Sequence, residues 1–250
     1  TSWYDKKFLN LNAKKSSTIL IHGERSNIGN KELEIKLNGT TLSQVTSVKY
    51  LGLHLDSHLS WGIHINNLCA TISRKVGVLR RAARILPPSS LINAYKTYVL
   101  PTFDYGDSIW TVCNIYLKQR IQHLQNMAAR IITNNHDLIN VRGESLVKEL
   151  KWFTTTQRRN YRVCCIIFKS VHDLVPNYMS DQVIMACDIH EYGTRQANNF
   201  NLYLEKPRTN FMKKCLFYHG ASLWNRLPNH IKEAPNLSTF KHLYMQHFRN

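Results

Sequence analysis

The chain has 250 residues, 43% of them hydrophobic, which is enough for one large core or two modest ones. No apolar run, the VCCIIF of 163–168 included, approaches the roughly eighteen residues of a membrane span, so a membrane protein is disfavoured. The 33 Lys and Arg outnumber the 16 Asp and Glu, for a net charge of +17, which points to phosphate backbones as partner ahead of an anionic membrane surface. The charge is also one-sided: residues 57–103 contain no acid, yet carry Arg74, Lys75, Arg80, Arg81, Arg84 and Lys96. The six cysteines form no CxxC and no secreted-type framework, so reduced thiols and an intracellular location, nucleus or cytoplasm, are expected.

In chain order, residues 3–12 read as the end of a helix leading to a turn. SSTILIHG (16–23) reads as a strand, and LEIKLNG (33–39) as a strand closed by an Asn38-Gly39 hairpin turn. SVKYLGLHLD (47–56) reads as a further strand with Gly52 inside it. A glycine there suggests a bulge or the close approach of another backbone. These residues predict a small antiparallel sheet.

The apolar period then changes. Ile65, Leu68, Cys69, Ile72, Val76, Leu79, Ala83 and Leu86 step by three and four, which predicts an amphipathic helix over about 63–86. Arg74 and Arg81 fall on the opposite face, two turns and about 10 Å apart, with Arg84 flanking them. Pro87-Pro88 ends that helix. A second helix is expected over 89–100, with serine caps and a stop at Pro101. Leu117 to Ile131 marks a third helix, and residues 134–144 read as a polar linker. Tyr161 to Val171 marks a fourth helix, bearing Arg158, Arg159, Arg162 and Lys169, and a last one covers about 238–248. The fold class is therefore α+β: a short N-terminal antiparallel sheet, then a mostly helical remainder.

The chemistry-bearing motifs are weak. FDYGD (103–107) echoes half of a polymerase carboxylate box, but one Asp is missing and a turn or helix cap is the better reading. Cys187/His190 and Cys215/His219 have zinc-like pair spacings at an unusual separation, and coincidence is favoured over metal. No Walker loop, GxGxxG or GxSxG is present. The tryptophans read as core. The residues alone stop at a basic, largely helical, nucleic-acid-binding protein.

The order of motifs says more. WYDKKFLNLNAKKSSTILIHG, through Trp3, Leu9, Leu11, Asn12, Lys15 and Ser16, resembles the stretch after the catalytic carboxylate pair in reverse transcriptases of non-LTR (LINE-type, jockey-like) retrotransposons. VKYLGLHLD resembles that family's primer grip. LSWGIHI, the basic helix, LPTFDYGDSIW and LQNMAARIIT are similar to its thumb, and residues 208–243 to its tail. The resemblance implies the C-terminal part of an RNA-directed DNA polymerase: a palm remnant over 1–56, a helical thumb over 57–136 and a helical tail over 137–250. It implies an RNA template and a DNA primer as partners, held by Lys49, Tyr50, Gly52, Arg74, Arg81 and Arg84. Gly52 would let backbone come near the sugar-phosphate, and Lys15 would match an accessory lysine near the leaving pyrophosphate. The resemblance puts the fingers, most of the palm, the catalytic aspartates and their Mg²⁺ upstream of Thr1, so no catalytic residue, metal site or cofactor is expected in this chain, and no activity from it alone. A stand-alone nucleic-acid-binding protein and a decayed copy remain the alternatives.

Overall fold

The computed structural model describes residues 4, 6–8, 10–23, 31–189, 200–209 and 212–249. Trp3 and Leu9 of the first motif, and His190, lie outside them. The chain divides into two compact units, residues 1–68 and 69–250.

The first unit is built from short strand pairs. β1 (Ser17–Thr18) pairs with β4 (Ser43–Gln44), β2 (Lys36–Leu37) with β3 (Thr40–Thr41), and β5 (Ser47–Tyr50) with β6 (Leu53–Asp56). The β1–β4 pair is parallel, so the expected antiparallel sheet is instead three separate ladders, two of them antiparallel. SSTILIHG contributes only two strand residues. Beyond Thr18 the segment is unpaired extended chain, anchored by His22 N–H donating to the Ser57 carbonyl at 2.9 Å. The Asn38-Gly39 turn forms as its residue types demand, with φ of 49° and 77°.

Gly52 is not in a strand interior. Val48 pairs with Leu55 and Tyr50 with Leu53, leaving Leu51-Gly52 as a two-residue turn with φ of 46° and 82°. Both central residues are left-handed, the type I′ geometry whose twist matches that of the flanking strands. The glycine answers a need of the turn, not a bulge.

Asp56 links this hairpin to the first helix. Its carboxylate accepts from the amides of His58 (3.1 Å), Ser60 (2.9 Å) and Trp61 (3.0 Å) and from Ser60 Oγ (3.1 Å). Burial pushes its pKa up, but these hydrogen bonds outweigh that and hold it below the usual carboxylate value.

Helix α1 (Gly62–Ala82) begins in the first unit and runs into the second. Its apolar stripe of Ile65, Leu68, Ile72, Val76 and Leu79 is buried, as the three-and-four spacing predicts. The helix ends at Ala82, so Arg84 lies just beyond it.

α2 (Pro88–Ala94) has Pro87 at its N-cap and no side-chain cap, so the serines do not serve as expected. Pro101 does not stop the segment either. A π-turn over Tyr95–Val99 leads into α3 (Leu100–Asp104), with Pro101 in its first turn. The wider turn bonds the Leu100 N–H to the Tyr95 carbonyl, five residues back, and so accommodates a ring with no N–H of its own.

α4 (Ile115–Thr133) starts on Asn114, whose side chain accepts from the Leu117 amide, and ends on left-handed Asn134. α5 (Gly143–Glu149), which the polar composition before it conceals, packs on α4. α6 (Thr155–Val171) starts with a Thr154–Gln157 capping box. α7 (Leu216–Trp224) and α8 (Leu237–Arg249) pack on α6. Their shared core holds Phe168, Trp224 and Phe240, with Phe168 and Phe240 ring centroids 4.6 Å apart. Trp61, Trp110 and Trp224 are buried, in line with their reading as core. No described helix is long and apolar enough to cross a membrane.

Candidate nucleic-acid interface

Two groups of exposed residues coincide with the positions singled out in the sequence. The first is the β5–β6 tip. Lys49 is exposed, and Tyr50 and Leu51 are 62% and 74% exposed. Leu51 occupies a left-handed position where Asn or Gly is cheaper, by about 1 kcal/mol for a residue with a Cβ. The tip thus keeps a large apolar side chain at that cost, turned largely to solvent. Lys15 lies apart from the tip, exposed at the end of the single 3-10 turn Ala13–Lys15.

The second group is on α1. Arg74 and Arg81 are seven residues apart, about 20° from eclipsed around the axis, and both are exposed. Arg74 reaches one turn back to Thr71 Oγ1 at 3.2 Å. Among the described residues, no ion pair involves Arg74, Arg80, Arg81 or Arg84. Lys75 has an internal role. Its ammonium donates to the Tyr98 carbonyl (2.8 Å) and Thr102 Oγ1 (2.7 Å) and lies 4.5 Å from the Tyr98 ring centroid, fastening α1 to the π-turn segment.

The arginines of α6 also have internal roles. Asp104, the last residue of α3, receives Arg158 in a two-pronged pair, Nε to Oδ1 at 2.6 Å and Nη2 to Oδ2 at 2.7 Å. Arg162 donates to the Asp104 carboxylate and carbonyl, and lies 3.4 Å from Asp107 Oδ1. Arg159 is 1% exposed, with its guanidinium 4.5 Å from the Trp110 ring centroid. FDYGD is thus a helix end and turn, as read, but its carboxylates also clip α3 to α6. The signal for this pairing was Arg-Arg-x-x-Arg (158–162) on an amphipathic helix whose apolar stripe places Arg159 inside.

With arginines on both carboxylates, this cluster does not fit a divalent cation. Among the described residues, no three His, Cys, Asp or Glu side chains converge as metal ligands. Cys215 caps α7, exposed, and burial, followed by the charge of Lys118, lowers the pKa of His219 one turn on.

Burial pushes the Asp107 carboxyl up to about 6, against the pull of Arg162. Its unfolded value is near 3.9. The folded chain therefore binds the extra proton between about pH 4 and pH 6, and this group's contribution to stability falls as pH rises through that window. Asp107→Asn should remove that slope. In melting curves at pH 4.5 and 7, the wild type should lose ground to the variant at the higher pH. Parallel behaviour at both pH values would mean that Asp107 does not titrate there.

No protein-family model and no solved structure matches the chain. Curated relatives do. It is 27% identical over 164 residues to a probable RNA-directed DNA polymerase from transposon X-element of Drosophila melanogaster, covering 64% of this chain and 17% of the relative. It is 32% identical over 130 residues to a probable RNA-directed DNA polymerase from transposon BS of the same fly, covering 50% of this chain and 14% of the relative. A Pol polyprotein from the type-1 retrotransposable element R1 of Bradysia coprophila is 31% identical over 111 residues, 43% of this chain and 11% of the relative. The chain is homologous to part of the RNA-directed DNA polymerases of non-LTR retrotransposons. It spans a small fraction of the length of the curated relatives it matches.

Proposed function

We propose that this chain is the C-terminal portion of a LINE-type RNA-directed DNA polymerase and that it grips the template RNA and primer DNA during synthesis. One observation carries the reading: a helix within an acid-free stretch, residues 57–103, turns Arg74 and Arg81 outward, and among the described residues no carboxylate pairs with them. A phosphate backbone is the complementary partner, because each neutralised phosphate releases counterions. In this reading residues 1–56 are the palm remnant, with Lys49, Tyr50 and the Gly52 turn as primer grip. Residues 57–136 are the thumb, with Arg74, Arg81 and Arg84 on its nucleic-acid face, and 137–250 the tail. The carboxylates that hold Mg²⁺ belong to a polymerase region outside this chain, and Lys15 would serve only beside it.

The tip is the sharper part to test. The chain should bind an RNA–DNA duplex with little sequence preference. Lys49→Ala with Tyr50→Ala should weaken binding roughly 3- to 10-fold, through one lost phosphate contact and one lost aromatic contact. The slope of log K against log salt should fall by about 0.7 to 0.9. Duplex affinity unchanged in the double variant would remove the primer-grip assignment.

A further inference from the structure

The second unit contains a groove that the duplex-gripping role uses only at Arg84. Its volume is about 790 Å³, within the range of ligand sites. One wall is the end of α1, with Arg80 and Arg84; the other is α4, with Asn126, Met127 and Ile131; the rim is the loop that follows α4. Arg80 is turned about 120° around the α1 axis from Arg74, so the helix presents two separate basic faces.

Three features define what fits this groove. Its lining contains no Asp or Glu. The nearby Asp137 carboxylate is occupied within its own loop, accepting from the amides of Ile139 (3.0 Å) and Asn140 (2.9 Å) and from Asn140 Nδ2 (3.0 Å). Arg130 builds the rim, donating to the carbonyls of Asp137 and Val141, which leaves Arg80 and Arg84 as groove arginines that form no ion pair among the described residues. Those two are four residues apart, Arg80 in the last turn of α1 and Arg84 in the turn beyond it.

The amides are held in place. Asn126 Oδ1 accepts from Gln122 Nε2 at 2.8 Å, and Asn135 Oδ1 accepts from the Asp137 amide at 3.0 Å, so both amide side chains that line the groove are held through their oxygens. Gly143 fixes Asn126 further, since a Cβ there would lie 2.6 Å from Asn126 Cβ. Between cations and amides stand Met127, Ile131 and Leu138, the last 77% exposed.

We infer that this groove binds an unpaired polynucleotide strand, with phosphates at Arg80 and Arg84, a base face on the Met127–Ile131–Leu138 wall and base edges at Asn126 and Asn135. A duplex hides its base faces in the stack and is too broad for the concavity. An unpaired strand can splay a base into it. RNA and single-stranded DNA share this chemistry. The groove and the proposed duplex face share Arg84 but not Arg80, Arg74 or Arg81, so changes at Arg80 and Leu138 separate the two.

The test is fluorescence anisotropy on the whole chain with three labelled probes: a single-stranded RNA, a single-stranded DNA of the same sequence, and the RNA–DNA duplex. Arg80→Ala should weaken single-strand binding at least 3-fold and lower its salt slope by about 0.7. Leu138→Glu, at an exposed site that folding does not depend on, should weaken single-strand binding at least 5-fold and duplex binding less than 2-fold. Tighter binding of RNA than of DNA would assign the ribose hydroxyl to the groove, and equal binding would assign base and phosphate alone; either supports the site. Single-strand affinity that survives Leu138→Glu overturns the inference, as does equal loss on all three probes. A wild-type chain that binds duplex but no single strand overturns it too, while leaving the duplex-gripping role intact.

Discussion

Asp104→Ala is expected to destabilise the second unit by about 3 kcal/mol. The residue is 54 and 58 positions in sequence from Arg158 and Arg162, so its loss releases a long-range clip between α3 and α6. Asp104 and Arg158 retain only 14% and 29% side-chain exposure, so water cannot fully replace the lost partner. Removing one member of a partly buried pair strands the other charge, which typically costs about 3–5 kcal/mol when burial is complete. Here three arginines would face Asp107 alone. Replacing both partners by apolar residues, Asp104→Leu with Arg158→Met, should cost clearly less than the two single changes added together. Urea unfolding with a double-mutant cycle reads both. A single-variant loss below about 1 kcal/mol would reduce the pair to an ordinary screened surface contact.

Gly220→Val should cost about 2–3 kcal/mol, although replacing a helical glycine usually gains helix propensity. Gly220 lies where α7 crosses α6. A Cβ there would stand 2.6 Å from both Cδ1 and Cγ1 of Ile167 and 3.2 Å from Val163 Cγ1. The helices would have to separate, opening the core that holds Phe168, Trp224 and Phe240. Ile167→Ala should make room, so the double variant should be less unstable than the sum of the two single changes by more than about 1 kcal/mol. Additive losses would mean that the crossing is not tight.

The helical half was legible because burial writes a period into the sequence. Ile65 to Leu79 and Leu117 to Ala128 place their apolar residues where α1 and α4 are buried, whereas Ile131 lines the groove. The first unit was less legible because its ladders are two to four residues long, too short for alternation to establish. The Gly52 turn carried a signal that the glycine itself masked. Val48 and Tyr50 are even-numbered, whereas Leu53 and Leu55 are odd, and that change of parity is what a two-residue turn inserts. Pro101 misled because a π-turn removes the clash that would otherwise end the helix. The charge census counted cations without distinguishing their roles. Lys75, Arg158 and Arg162 have protein partners, whereas Arg80, unremarkable in sequence, lines a groove. Such partners lie more than twenty residues away, beyond the reach of local pattern.

The most direct test of the central claim is the salt dependence of duplex binding by the chain and by its Arg74→Ala/Arg81→Ala variant. Neither residue is on the buried stripe of α1, so circular dichroism should be unchanged. Anisotropy with an RNA–DNA duplex across a salt series should give a log–log slope shallower by about 1.4 to 1.8, two phosphate contacts' worth. An unchanged slope in a folded variant would mean that this face is merely solvated, and the thumb assignment would lose its physical support.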